Sequence, residues 1–295
     1  MRIVVHGQQA FGKAVLERLL ERDENVVAVC CAPTKDRKPE DPLAEYAREQ
    51  KIPVHQPTSW KTPEALELMQ SFGAEVCMMA YVLLFIPEAV RDAPKYGTFQ
   101  YHPSLCPWHR GPSSISWPIA MGKKRTGLTI FWPNDGFDEG PIMLQKTCEI
   151  GPDETLGDVY FAKLFPMGVD AMIEGLDLVK AGIILKHDQR LDVGSYESWF
   201  KGDHIHIDWS NPVQEVHNLI RAADPAPAAR TTINGTDVQV YDSSLLDGDG
   251  TPGTLVQSDD DGIVMQASGG RILLKRLRSV GGKKLAANAW MAENG

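Results

Sequence analysis

The chain has 295 residues, of which 43% are hydrophobic, and its formal net charge is −9. This length and apolar content suffice for two folded domains, and the composition excludes a fibre, a repeat array and a disordered tail. The negative charge repels a polyanion, which argues against nucleic-acid binding, including that of tRNA.

The chain starts MRIVVHGQQAFG, a pattern typical of a strand that runs into a glycine turn, and this stretch lacks the features of a signal peptide. No apolar run reaches membrane-spanning length, so no membrane association is expected. The five cysteines show no CxxC spacing and are typical of reduced thiols. These features together predict a cytoplasmic protein.

The first third of the chain alternates short apolar runs with amphipathic stretches, from IVVH and FGKAVLERLLER to EVCMMAYV. This rhythm predicts a Rossmann-like, mostly parallel sheet with crossover helices, an α/β fold. In the first helix one face is apolar, which sets the side that packs on the sheet. That face carries Phe11, Val15, Leu16, Leu19 and Leu20.

Further along, the pattern predicts a helix over 114–121, strands over 128–132 and 142–145, and a long helix over 155–181 that closes the first domain. Short alternating segments then follow, beginning with HIHIDW and ending with RILLKRL, and they predict a small β-barrel-like (OB-like) domain. The predicted domains are residues 1–182 (catalytic), 183–203 (linker) and 204–295 (C-terminal).

Two residues from separate turns suggest proton chemistry. His102 ends the apolar segment GTFQYH, and Asp138 lies in the turn GFDEG. An imidazole titrates near neutral pH, and a carboxylate beside it fixes its tautomer and raises its basicity. A histidine at a strand end and an aspartate in a glycine-flanked turn also have ordinary structural roles, so the pair by itself leaves both interpretations open.

The opening GQQAFG invites a dinucleotide-binding interpretation. The middle glycine that would let the backbone approach a pyrophosphate is missing, and the second strand ends in Cys30, Cys31 and Ala32 instead of an acidic residue. No NAD(P) site is therefore expected. The turn is better placed to border a ligand crevice at the carboxyl end of the sheet.

The segment HPSLCPWHRG, followed by GFDEG, resembles the HxSLLPxxRG signature and the D-x-G turn of the folate-dependent formyltransferase family. The resemblance covers the whole chain, from IVVHGQQAFG through the FIP segment at 85–87 to IDW and NLIRAADPAPAA. Within the family the chain is most similar to the N-terminal hydrolase domain of the 10-formyltetrahydrofolate dehydrogenases, through GQQAFG, YHPSL, TIFWPNDG, LQKTCEIGPDET and LFPMG.

The resemblance implies an enzyme of one-carbon metabolism that takes the formyl group of 10-formyltetrahydrofolate and leaves tetrahydrofolate, with water or a small acceptor. It places His102 as general acid/base next to the formyl carbon, with Asp138 orienting it and helping to deprotonate the attacking water or amine. The family's second domain is β-barrel-like. No metal and no NAD(P) are expected, although the related dehydrogenases continue into carrier and aldehyde-dehydrogenase domains.

Gln100 is a departure from the wider family pattern, which has Asn two residues before the histidine. Residues 100 and 102 of a strand face the same side, so the Gln100 amide can reach the formyl oxygen. Its extra methylene shifts the amide and adds rotamer freedom. The dehydrogenase-type domains also lack Asn there, so this position favours the hydrolase interpretation over aminoacyl transfer.

The resemblance also assigns the folate pocket. Its apolar pterin slot corresponds to Leu84, Phe85 and Ile86, for which simple core packing is the alternative. The signature loop would border the same crevice through Ser104, Leu105, Cys106, Pro107 and Arg110. Cys106 is small and apolar and is expected to pack, since no base accompanies it. Trp108 stands where Arg is commoner, which alters the rim.

Two other functional classes stay open. One is formyl transfer to an amine, namely an aminoacyl-tRNA, an amino sugar or a biosynthetic amine. Acidity weakens the tRNA version, as does the lack of a clear basic insertion near 34–40. The other is a non-catalytic folate-binding module, against which His102 and Asp138 argue.

Three further clusters are interpreted as structural. His204, His206 and Asp208 alternate as metal ligands could, yet no fourth donor is evident, and a polar strand face is expected. The acidic run 259–261 has no EF-hand spacing and is typical of a solvated turn. The basic residues near the C-terminus alternate as on a strand with one solvated face.

Overall fold

A computed structural model describes residues 1–34 and 38–294. Residues 35–37, in the segment 34–40 that lacks a clear basic insertion, lie outside the described residues. The chain divides into two compact units. The first comprises Met1–Arg110, Gly127–Thr147 and Leu164–Tyr196, and the second comprises Gly111–Thr126, Cys148–Lys163 and Glu197–Gly295.

A seven-stranded sheet organises the first part of the chain, with strand order β3-β2-β1-β4-β5-β6-β7. Its strands are β1 (Arg2–Gly7), β2 (Asn25–Cys30), β3 (Val54–His55), β4 (Val76–Ala80), β5 (Thr98–His102), β6 (Arg125–Phe131) and β7 (Ile142–Glu149). The pairs from β3 to β5 are parallel and β6 runs antiparallel to β5. The predicted mostly parallel, Rossmann-like sheet is confirmed.

The strand order reverses direction between β1 and β4. Ligands of open α/β sheets bind at such a point, outside the carboxyl ends of the strands. The two strands approach closely there, because a Cβ on Gly7 would lie 2.3 Å from the carbonyl oxygen of Ala80. A glycine is therefore needed at the end of β1, which explains the first glycine of GQQAFG.

Seven helices of the described chain come before residue 181. They are α1 (Gln9–Glu21), α2 (Pro42–Glu49), α3 (Pro63–Ser71), α4 (Glu88–Arg91), α5 (Ser116–Ala120), α6 (Leu156–Val159) and α7 (Phe165–Lys180). The apolar face of α1 is confirmed: Phe11, Val15, Leu16 and Leu19 are buried in the core, and Leu20 is partly buried against it.

The long helix predicted over 155–181 is interrupted. A π-helical turn over Tyr160–Leu164 separates α6 from α7. Pro166 lies at the start of α7 and has no backbone N–H, so a regular α-helical hydrogen bond cannot form there and the chain begins a new helix.

The second unit contains an antiparallel sheet with strand order β10-β11-β12-β9-β8, and β13 pairs with β12. The strands are β8 (Ala229–Ile233), β9 (Thr236–Leu246), β10 (Leu255–Asp259), β11 (Gly262–Ala267), β12 (Gly270–Ser279) and β13 (Leu285–Ala286). Helices α5 and α6 belong to the same unit. So do α8 (Val213–Ala223) and α9 (Ala287–Asn294). The predicted C-terminal β domain is thus confirmed as an antiparallel sheet.

The strand predicted for HIHIDW is wrong. Residues Gly202–Ile205 form a 3₁₀ turn instead, and His206 makes only an isolated bridge to Arg230. The physical reason is local: the Asp208 carboxylate accepts hydrogen bonds from the backbone N–H and the hydroxyl of Ser210, which turns the chain before α8. Across the described ranges, no helix has the length and apolar character needed to cross a membrane.

Candidate active site

His102 ends β5, and the core fixes which way this strand faces. Phe99 and Tyr101 are buried in the main hydrophobic core. Because side chains alternate along a strand, Gln100 and His102 share the opposite face. His102 is 6% exposed, and Gln100 is partly buried. Burial limits the hydration of the imidazole and strengthens its interactions with nearby charges.

The orientation of the His102 ring follows from one contact. Its Nε2 lies 3.2 Å from the carbonyl oxygen of His109. A carbonyl oxygen can only accept a hydrogen bond, so Nε2 carries the proton in this contact. Nδ1 is then the nitrogen left to exchange a proton, and it lies 3.6 Å from Oδ2 of Asp138. This distance exceeds that of a direct hydrogen bond, and it places the carboxylate close enough to stabilise the ring when Nδ1 takes up a proton.

Asp138 is held in a turn of unusual backbone geometry. Its φ angle is +55°, in the left-handed region that Asp and Asn adopt more readily than most residues. The turn is fixed from outside, because Nε2 of Gln189 donates 2.8 Å hydrogen bonds to the carbonyl oxygens of Asp138 and Gly140. The predicted pair of His102 and Asp138 is therefore brought together by the end of β5, by the loop between β6 and β7, and by the side chain of Gln189 that holds this loop.

The signature loop that follows His102 is anchored through Thr129 of β6. The hydroxyl of Thr129 donates to the carbonyl oxygen of Ser104 at 2.7 Å and accepts from the backbone N–H of Cys106 at 3.0 Å. Gln145 of β7 donates to the carbonyl oxygen of Cys106 at 2.8 Å and to the Thr129 hydroxyl at 2.9 Å. Ser104 is fully buried. The side chains of Ser104, Thr129 and Gln145 therefore hold the loop in place and do not line an open surface.

Cys106 has the environment of a packing residue. Its side chain is buried, and burial, followed by the negative charge of Asp138, raises the pKa of the thiol to about 12. A thiol with such a pKa stays protonated at neutral pH and is a poor nucleophile. This agrees with the interpretation made from the sequence.

An ion pair joins the two signature loops. Nη1 of Arg110 lies 2.5 Å from Oε1 of Glu139, and the Arg110 side chain is 10% exposed. The hydroxyl of Ser195 accepts a hydrogen bond from the backbone N–H of His109 at 2.9 Å. The sequence interpretation included Arg110 but missed Glu139, Gln189 and Ser195. Glu139 could have been found from its place next to Asp138, whereas residues 189 and 195 carry no local signal.

The segment predicted to bind the pterin follows β4. Ile86 is buried, whereas Leu84 is 38% and Phe85 is 50% exposed. Nζ of Lys61 lies 5.2 Å from the centre of the Phe85 ring. Two of the three side chains are thus available to a ligand, and the third packs inward with Val90 and Trp60 in a smaller core.

The histidine cluster at 204–206 has packing partners of its own. His204 packs against the rings of Trp117 and Phe200 within the second unit. Within residues 1–34 and 38–294, no three His, Cys, Asp or Glu residues are grouped as ligands of a metal ion.

Comparison with known families identifies the chain. Residues 1–174 match the model described as formyl transferase, and residues 201–295 match the model of the formyl transferase C-terminal domain. The chain belongs to the formyl transferase family. The family resemblance that the signature loops indicated is therefore confirmed, and the two matches extend over most of the sequence.

Curated relatives include enzymes of two kinds. The mitochondrial 10-formyltetrahydrofolate dehydrogenase of Mus musculus is 36% identical over 310 residues, which cover 99% of this chain and 33% of the relative. The methionyl-tRNA formyltransferase of Trichlorobacter lovleyi is 32% identical over 296 residues, which cover 99% of this chain and 93% of the relative. The chain thus spans about a third of the dehydrogenase relatives that it matches.

Solved structures of the family share the fold. HypX from Aquifex aeolicus, in complex with tetrahydrofolic acid, aligns with a TM-score of 0.72 at 17% identity, covering 99% of this chain and 47% of that one. An N-formyltransferase from Helicobacter canadensis, in complex with folinic acid and dTDP-3-aminofucose, aligns with a TM-score of 0.70 at 18% identity, covering 92% and 98%. These likenesses agree with the fold predicted from the sequence.

Proposed function

We propose that this chain releases the formyl group of 10-formyltetrahydrofolate as formate and leaves tetrahydrofolate, with water as the acceptor. The observation that carries the proposal is the His102 ring, whose Nε2–H donates to a backbone carbonyl while Nδ1 lies 3.6 Å from Asp138. This arrangement leaves one imidazole nitrogen and one carboxylate to handle a single proton in a largely buried setting.

The proposed chemistry balances around that nitrogen. The oxygen of a water molecule bonds to the formyl carbon, and Nδ1 of His102 takes the water proton while the Asp138 carboxylate stabilises the imidazolium. The negative charge that develops on the formyl oxygen needs a donor, for which the Gln100 amide is proposed. Collapse of the tetrahedral intermediate breaks the bond between the carbon and N10 of the folate, and His102 returns the proton to N10.

The folate is proposed to lie between the 84–86 segment and the signature loop. Leu84 and Phe85 offer exposed apolar surface for a flat ring. Ser104 and Cys106 are buried, so the loop 104–107 is proposed to contribute backbone groups. The Arg110 side chain is engaged with Glu139 and is proposed to shape the border of the site through that pair. No metal and no nicotinamide cofactor take part in the proposed reaction.

The proposed catalytic residues all lie within residues 1–182. We propose that 1–182 acts as the catalytic domain, that 183–203 acts as a linker and that 204–295 forms the C-terminal domain. A cytoplasmic location is proposed from the cysteines without CxxC spacing and from the lack of an apolar run of membrane-spanning length.

Formyl transfer to an amine is the second candidate, because a methionyl-tRNA formyltransferase matches this chain over 93% of its own length. The charge of −9 argues against tRNA as the acceptor and leaves a small amine.

The two candidates are separated by incubating the chain with 10-formyltetrahydrofolate, with and without amine acceptors, and by measuring formate and tetrahydrofolate. Water-only turnover supports the hydrolase. Turnover that appears only when an amine is added would favour the transferase. If the chain neither binds nor consumes the folate, both are rejected.

A further inference from the structure

Arg91 is a buried arginine at the end of α4. It is 5% exposed, whereas arginine is almost never fully buried unless it is paired. Its Nη1 donates a 2.6 Å hydrogen bond to the carbonyl oxygen of Ile86, and its Nη2 donates a 2.9 Å hydrogen bond to Oδ1 of Asp135. One guanidinium therefore joins two separate segments of the chain.

Both segments belong to the candidate active site. Ile86 ends the segment proposed to hold the pterin, and Asp135 precedes Asp138 by three residues in the same loop. The backbone of Arg91 adds a third connection, because its carbonyl oxygen accepts a 2.6 Å hydrogen bond from the hydroxyl of Thr98. Thr98 begins β5, the strand that ends in His102.

The chemistry of the arginine side chain suits this bridging role. A guanidinium presents its N–H groups in a rigid planar fork, so the directions of the two hydrogen bonds are fixed relative to each other. A lysine ammonium at the same place is a point charge on a flexible stem and cannot hold two acceptors at a set angle.

The partner carboxylate indicates that the role is local. The Asp135 side chain is 66% exposed, against 6% for Arg91. Because the carboxylate is solvated, water can take its place beside Nη2 when it is removed, and the guanidinium keeps its hydrogen bond to Ile86. Loss of the carboxylate is therefore expected to lower the free energy of unfolding less than the loss of a fully buried partner would. What the ion pair can do is restrict an otherwise exposed loop, and this loop carries the candidate catalytic carboxylate.

We propose that Arg91 is a positioning residue that ties the folate segment to the Asp138 turn, with Asp135 as its anchor in that turn. The proposal rests on the proposed function, because in it Arg91 sets the distance between the bound folate and Asp138. Loss of the hydrogen bond between Arg91 and Asp135 displaces the Asp138 carboxylate relative to His102 and the formyl carbon. Small displacements of positioned groups reduce catalytic rates strongly.

The first test uses Asp135→Ala beside Asp135→Asn, with the exposed carboxylate variant Asp92→Ala as matched control. We expect Asp135→Ala to lower kcat about tenfold and to raise KM for 10-formyltetrahydrofolate a few-fold, while the melting temperature stays near that of the unaltered chain. Asp135→Asn keeps an oxygen acceptor and is expected to recover part of kcat. Loss of activity that merely follows loss of folded protein, or equal activity in all variants, would overturn the proposal.

The second test needs no turnover. In Arg91→Lys we expect the backbone amides of residues 82–87 and 133–140 to exchange faster with solvent deuterium, both segments together, while those of α1 stay unchanged. Unchanged exchange in either segment would overturn the proposal even in an active enzyme. If the unaltered chain does not consume the folate, the proposed function fails, and the exchange of these two segments still decides whether Arg91 ties them.

Discussion

The proton of His102 lies on Nε2 because that nitrogen faces the carbonyl oxygen of His109, which can only accept. This single contact divides the roles of the ring nitrogens and directs Nδ1 towards Asp138. The carboxylate in turn depends on a backbone angle that few residues adopt, with φ at +55°. The identity of residue 138 is therefore constrained by conformation as well as by charge.

The role of Gln100 can be tested by shortening its side chain. If its amide donates to the formyl oxygen in the transition state, Gln100→Ala removes that donor and lowers kcat about 100-fold, in the range known for single oxyanion donors. Gln100→Asn retains an amide on a shorter stem and is expected to keep part of the rate. Steady-state kinetics on 10-formyltetrahydrofolate measure this.

Gln70→Ala, at an exposed position of α3, serves as the control for this pair. A kcat of Gln100→Ala within twofold of the control would show that the amide has no part in catalysis.

At the scale of elements, the site depends on a segment that comes after α7. Gln189 holds the Asp138 turn through two backbone carbonyls. The Oε1 atom of Gln189 is buried and has no hydrogen-bond partner among the described residues. Gln189→Met fills similar volume without polar atoms, so it loses two donated hydrogen bonds and relieves one unpaired acceptor.

We therefore expect Gln189→Met to change the free energy of unfolding by no more than about 2 kcal/mol and to lower kcat about tenfold. Denaturant unfolding and steady-state kinetics on the same preparation measure the two effects. A large loss of stability with a full rate per folded molecule would mean that the residue only supports the fold.

The alternation of apolar and amphipathic segments was sufficient to predict the parallel sheet, because strands and crossover helices each carry their own period. His102 and Asp138 could be predicted because the resemblance to the family's two signature segments marks them, whereas their positions alone leave a structural role open. Gln189 and Arg91 could not, since their contacts reach 49 to 51 residues and 44 residues along the chain and leave no local pattern.

Helix α8 was also missed, although it buries Val216 and Ile220 at helical spacing. The strand predicted from the alternating pattern of HIHIDW was wrong, because the hydrogen bonds of the Asp208 side chain favour a turn there.

At the scale of the whole molecule, the first strand of the central sheet carries a buried histidine. His6 is 2% exposed and its ring centre lies 4.7 Å from that of the buried Trp60. Burial lowers the pKa of His6 to about 3, below its ordinary value of 6.5. The unfolded chain therefore takes up a proton first as the pH falls. The contribution of neutral His6 to the free energy of unfolding is complete above pH 6.5 and is lost as the pH falls towards 3.

This effect predicts a difference between the chain and His6→Leu. Between pH 7.5 and pH 5, the free energy of unfolding of the unaltered chain should fall by about 2 kcal/mol more than that of His6→Leu, from 1.36 kcal/mol for each pH unit below 6.5. Urea unfolding at the two pH values measures it. The comparison isolates His6 because the other titrating groups, including the buried His217, are common to both proteins. Equal losses in the two proteins would show that His6 is protonated in the folded state.

The measurement that tests the central claim most directly compares His102→Gln and Asp138→Asn with the unaltered chain and with His187→Gln, a change at an exposed histidine. Asn adopts the same left-handed backbone as Asp, so Asp138→Asn removes charge without imposing strain. Formate release and equilibrium binding of tetrahydrofolate are measured on each. We predict at least 100-fold slower formate release in the two site variants, with binding within a few-fold of the unaltered chain. Full activity in either variant would contradict the assignment of this pair.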